Sequence, residues 1–267
     1  VLARCDSAVS ALQGQRTGLG EASVALEVKG IGIFSATTIS LMKKWHRCLQ
    51  AIQMVDFALS WVVSLPSATF DVPDAELLIF KLEDLPLNHR KIELLDIAGD
   101  ESPSDVSIRA IMRANFGNKT DTVCVDPSLI SVVVGGKARS NFAGIKPSWS
   151  GVAHKTFVIP VNVDKHWCGI MIDMDTGDVQ VYDPLSSSDQ ADVVSVAKKL
   201  TAFIMPTPAK RFRQSTFVSG LGMQSDTYNW GIYVMAAFQK FYGGAIIEGG
   251  SRQHLIQLRL QYMGLLL

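Results

Sequence analysis

The sequence predicts an α+β fold, and three observations predict it. Three runs rich in Val and Ile follow one another closely, at 156–163, 167–174 and 179–182, and read as consecutive strands. Helical apolar spacing flanks that block on both sides. A polar loop from Gln224 to Asn229 then runs directly into a helix whose apolar face carries Ile232, Val234, Met235 and Phe238.

A chain of 267 residues can bury a substantial core, either as one large domain or as a domain with an extension. Its hydrophobic fraction of 48% and mean hydropathy of +0.20 are those of an ordinary globular protein. Twenty-five basic residues balance 25 acidic ones, which removes any global electrostatic case for nucleic acid or for an anionic membrane. The local exception, Lys210-Arg211-Phe212-Arg213, reads as a solvated strand end. Cys5, Cys48, Cys124 and Cys168 form no C-x-x-C pair, so their spacing suggests neither a metal site nor a disulfide framework, and no cofactor is expected. That usage fits a reducing intracellular compartment, nucleus or cytoplasm. No apolar run reaches membrane-spanning length, because Met54 to Leu65 is short and is interrupted by Asp56. The opening Val-Leu-Ala-Arg has no initiator Met and reads as the start of a fragment, and the sequon at Asn118 is expected to be unused.

In chain order, residues 1–35 are expected to be loops with one or two short elements, because Gly14, Gly18, Gly20, Gly30 and Gly32 interrupt any period. From Thr37 or Thr38 to Ser64, Leu41, Trp45, Leu49, Ile52, Val55, Leu59 and Val62 recur at three and four residues, a helix that Pro66 ends. It reads as a core helix of the extension or as a docking helix for a partner. The acidic, proline-punctuated stretch 71–86 marks a boundary, giving a mainly helical extension at 1–88 and a second domain at 89–267. Ser104 caps a helix through Ile108, Ile111, Met112 and Phe116. Thr122 to Val125 is a short strand, and Asp126-Pro127-Ser128 leads into a further apolar run, Leu129 to Val134. Asp173 to Asp178 contains Thr-Gly and reads as a hairpin turn between two of the strands. A helix from Ala191 to Ile204, a strand at 211–218, the helix capped by Asn229 and a terminal helix from Arg252 to Leu266 complete the chain.

In order and spacing, His166, Asp183, Gln224 and Asn229-Trp230-Gly231 resemble the SUMO/sentrin-specific (Ulp/SENP) cysteine proteases, across roughly residues 90 to 267. The family order is His, Asp, Gln and then Cys followed by Gly, with the Gln six positions before the Cys; here 230 − 224 is six. The resemblance implies an adenain-like cysteine-protease fold with a mixed sheet packed against helices. It implies His166 as base, Asp183 as the group that orients it, and Gln224 with the backbone N–H of residue 230 as oxyanion donors. It also implies a ubiquitin-like modifier, or its conjugates, as partner. Ser102 stands where the family carries the Trp that opens its entry helix. Trp167 alone is then left to cover the tunnel that holds a Gly-Gly tail.

The nucleophile position is Trp230, whose single polar group is an indole N–H donor, so the chain is expected to be inactive as written. Cysteine at 230 would instead make it an active deSUMOylating or deubiquitinating isopeptidase. A third reading places the function in protein contacts of the 1–88 extension. Cys168, two residues beyond His166 on one strand, shares its face but lacks the opposed geometry and the helix terminus that a nucleophile needs.

Overall fold

A computed structural model describes residues 2–15, 25–66, 93–133, 137–140, 156–164, 166–204, 212–244 and 249–266. The stretch 71–86, the 88/89 boundary, and Lys210 and Arg211 of the basic cluster lie outside the described residues. Two compact units divide the chain, Val1–Leu59 and Ser60–Leu267.

The first unit corrects the expectation of loops. Helix α1 spans Leu2–Gln15, and strands β1 (Ala25–Val28) and β2 (Gly32–Ser35) pair as an antiparallel hairpin. The glycines cluster after residue 13, whereas Leu2, Ala3, Ala8, Ala11 and Leu12 favour a helix ahead of them. Cys5 and Val9, one turn apart, bury against Ile39 and form a small core with Leu26, Val28 and Phe34. Helix α2 runs Ala36–Ser64 as expected, but it is not a core helix: only Ile39 and Ala58 are buried. Trp45 is 64% and Ile52 63% exposed on its surface.

In the second unit, the strands at 156–163, 166–173 and 178–182 do lie side by side. Here α3 is Asp105–Phe116, β3 Thr122–Cys124, β4 Ile130–Val133, β5 Lys137–Ser140, β6 Thr156–Val163, β7 His166–Asp173 and β8 Asp178–Tyr182. Then come α4 Gln190–Ile204, β9 Arg213–Thr216, α5 Trp230–Phe241 and α6 Arg252–Leu266. The sheet is mixed, in the order β5-β4-β6-β7-β8-β9, with β3 also on β6. β6, β7 and β8 are antiparallel neighbours, while β3 and β4 join β6, and β9 joins β8, in parallel. Strand β9 is shorter than the 211–218 expected, and all four of its residues are exposed.

Alternation along the strands sorts their side chains onto two faces. Val158, Trp167, Met171 and Tyr182 pack under α3, α5 and α6. Phe157, Ile159, Cys168, Ile170, Val179 and Val181 pack with Val193, Val196, Ala197 and Leu200 of α4 on the other face. Helix α5 lies directly on β7 where the strand has no side chain. A Cβ on Gly169 would stand 2.8 Å from the Phe238 ring and 3.3 Å from Val234. This close approach fixes how α5 sits over the strand that carries His166.

Candidate active site

His166 begins β7, and Asp183 follows directly on β8, so antiparallel pairing brings both to one end of the sheet. His166 Nε2 lies 3.7 Å from Asp183 Oδ1, with both side chains buried. Asp183 is held from its own turn. Oδ1 accepts from the Leu185 N–H at 2.9 Å, and Oδ2 accepts from the Ser187 N–H at 2.7 Å and its hydroxyl at 2.8 Å. Burial opposes ionisation of this carboxyl, but His166, the Ser187 hydroxyl and the two N–H groups outweigh it and hold its pKa down to about 2. A second carboxylate, unforeseen in the sequence, flanks the ring: Asp189 Oδ2 lies 3.7 Å from Nδ1.

Trp230 is the first residue of α5, where first-turn N–H groups have no partner within the helix. Its ring centroid stands 6.0 Å from that of His166. An indole thus stands beside the His166 ring, and among the described residues its buried Nε1 has no acceptor. Gly231 follows where the helix start presses on the α3 entry, since a Cβ there would meet Ile108 at 2.7 Å and Pro103 at 3.3 Å.

Asn229 sits at the cap position without capping: no first-turn N–H bonds its side chain. Its amide instead donates to Asp226 Oδ2 at 2.8 Å and accepts from Arg259 Nε at 2.7 Å. Gln224 is buried in the same loop, and its amide, expected as an oxyanion donor, is committed within the loop. Nε2 donates to both Asp226 O and Asp226 Oδ1, each at 2.9 Å, which uses both hydrogens, and Oε1 is buried without a donor among the described residues. Asp226 also accepts from the N–H groups of Tyr228 and Asn229. Burial raises its pKa, but these bonds, led by those from Asn229, win and hold it below the usual carboxylate range.

Arg259, 1% exposed, ties this loop to the α3 entry. It donates to Asn229 and to the carbonyls of Ile97 at 2.9 Å and Glu101 at 2.7 Å, with longer bonds to Asp96 and Tyr228. Burial lowers its pKa to about 10, which leaves it cationic at neutral pH. The sequence carried a signal for it: Leu255, Leu258, Arg259 and Tyr262 form one helical stripe, and an Arg on an apolar stripe needs buried acceptors.

The structure also joins the two substrate-binding candidates. Trp167 is 2% exposed, and its indole N–H donates to the carbonyl of Pro103, next to half-buried Ser102. Ser104 caps α3 as expected, accepting from the Ser107 N–H. Asp96 accepts in turn from the Ser104 N–H and the Ser107 hydroxyl.

Cys168 is the one thiol at this end of the sheet among the described residues. Its Sγ is 3.3 Å from His166 Nε2, and it is 0% exposed. Burial, then the charges of Asp183 and Asp189, push its pKa well above the usual thiol range, so it is not poised as a thiolate. Although cysteine spacing suggested no metal site, His166, Cys168 and Asp183 place donor atoms within 4.8 Å of one another.

Residues 130–265, just over half of the chain, match the sequence profile of the Ulp1 protease family, C-terminal catalytic domain. No curated protein matches the chain. Among solved structures it is similar to the SUMO protease Ulp1 with its catalytic cysteine oxidised to a sulfenic acid, at 15% identity over 65% of this chain and 81% of that one, with a TM-score of 0.51. It is similar also to the C-terminal Ulp1 protease domain in complex with Smt3, the yeast ortholog of SUMO, at 15% identity over 65% and 80% of the two chains, with a TM-score of 0.52. At that identity the likeness is one of fold.

Proposed function

We propose, from the premise that this chain belongs to the Ulp1 protease family through its C-terminal catalytic domain, that it binds a ubiquitin-like modifier of the SUMO type and does not cleave it. The observation that carries this reading is Trp230 at the head of α5, its ring 6.0 Å from His166. Peptide-bond cleavage by this route needs a thiolate opposite an imidazole, and indole cannot supply one. The commitment of Gln224 to Asp226 supports the same reading, because no amide hydrogen is left to stabilise an oxyanion. So does the burial of Cys168.

Binding is the function that survives these losses. Trp167 remains fixed beside the α3 entry through Pro103, where a narrow tail would be covered. The partner class rests on the family and on the Smt3 complex of the similar Ulp1 domain. The four unpaired cysteines fit a reducing compartment, nucleus or cytoplasm. Titration of SUMO into the chain, with and without its Gly-Gly tail, tests the reading. Binding that weakens at least tenfold on loss of the tail, with SUMO recovered intact, supports it; equal affinity for both forms, or cleavage, overturns it.

A further inference from the structure

We propose that His166, Cys168 and Asp183 form a binding site for a thiophilic divalent cation of the zinc class. Period-two alternation places Cys168 on the face of β7 that carries His166, and the β7–β8 pairing brings Asp183 to the same end. Cys168 Sγ lies 3.3 Å from His166 Nε2, and Nε2 lies 3.7 Å from Asp183 Oδ1. Bonds of about 2.0 Å to nitrogen and oxygen and about 2.3 Å to sulfur set the donors of a tetrahedral zinc roughly 3.3–3.6 Å apart. Two of the three donor spacings are therefore near those of zinc ligands, and with all three donor atoms within 4.8 Å of one another the remaining edge, Cys168 to Asp183, has to close by up to about 1.3 Å when an ion enters.

The surroundings match a metal centre in two further respects. Asp189 Oδ2 stands 3.7 Å from Nδ1 of the ring while Nε2 faces Cys168 and Asp183, and a carboxylate at the far nitrogen is how a metal-bound histidine is commonly oriented. Ser187 and Leu185 fix the Asp183 carboxylate through its other lone pairs. Charge points the same way, because two carboxylates, the buried Asp183 and the 40% exposed Asp189, flank one imidazole. The mixed sulfur, nitrogen and oxygen set favours zinc or cobalt(II) over magnesium or calcium, which take oxygen ligands. On binding, one sulfur–metal bond forms and the thiol proton passes to solvent. Three protein ligands leave a fourth position for a small molecule.

Cobalt(II) added to the chelator-treated full chain tests the site, alongside zinc uptake and X-ray absorption of the zinc-loaded parent. The expected result is one equivalent bound, a near-ultraviolet thiolate-to-cobalt band, and one sulfur neighbour at the zinc. Cys168→Ser should abolish the band and weaken binding at least tenfold, while Cys124→Ser should change neither. No uptake, a zinc without sulfur, or a band that persists in a folded Cys168→Ser chain overturns the proposal. The absorption measurement uses the parent alone, so a Cys168→Ser chain that fails to fold leaves the outcome decided.

Discussion

At the start of α5, Asn229 bonds both Asp226 and Arg259, and Arg259 bonds the α3 entry, through hydrogen bonds 2.7–2.9 Å long. At the ends of β7 and β8, His166 is held more loosely: its contacts to Asp183 and Asp189 are both 3.7 Å, and its near neighbour is a buried thiol. The first region contains Trp230, which we propose stands at the nucleophile position, and the second contains His166 and Asp183, the proposed base and its orienting group. What holds the helix start together is therefore separate from what would react there. A Trp at position 230 can remove chemistry without loosening the fold, because the Arg259 web bonds Asn229 and not residue 230.

The largest test of this comparison is Arg259→Leu. It strands Asn229 Oδ1 and the Ile97 and Glu101 carbonyls in the interior, and should cost about 3–5 kcal/mol in urea unfolding. A loss under 1 kcal/mol would mean that the web is not what holds the loop. Gly169→Ala forces a methyl against the Phe238 ring and should lower stability by about 1–3 kcal/mol, read as a fall in Tm.

Ser102→Trp adds the aromatic that the sequence resemblance leads one to expect at the α3 entry. It should tighten binding of a Gly-Gly tail roughly tenfold by titration, with no change in cleavage. Unchanged affinity would show that Trp167 does not share the tail with position 102.

The smallest effect expected is that of Asp226→Asn, on the order of 1 kcal/mol, because solvent screens this half-exposed group. Its direction with pH is specific. The folded pKa lies below the unfolded one, so the carboxylate contributes fully above about pH 4 and its contribution fades as pH falls through the folded value. The variant should lose stability at neutral pH and show a flatter acid limb in denaturation profiles. An unchanged acid limb would remove Asp226 from the account.

Much of this fold was legible in the sequence. The Val and Ile alternation marked β6, β7 and β8, and the 252–266 stripe gave α6 its observed bounds. Helix α1 was not legible because Gly14, Gly18 and Gly20 break the helical period at and just beyond its end, within the same short stretch. The order of His166, Asp183, Gln224 and Trp230 pointed to one site, and the fold brings His166 to Asp183 and to Trp230. The direction of the Gln224 amide was not legible, because it depends on an Asx turn made by Asp226, two residues away, and spacing does not report which acceptor an amide will choose. Asp189 was equally hidden: it reaches His166 from the turn before α4, at a sequence distance with no period.

Hydrolysis of a Gly-Gly-linked SUMO reporter by the parent chain and by Trp230→Cys tests the absence of chemistry most directly. The parent should release nothing. The variant places a thiol at a helix N-terminus near His166, where the dipole and the imidazole lower its pKa. It should cleave slowly, since Gln224 is bound to Asp226, and His166→Ala in the same background should abolish that cleavage. Release of product by the parent, with Trp230 in place, would contradict the account.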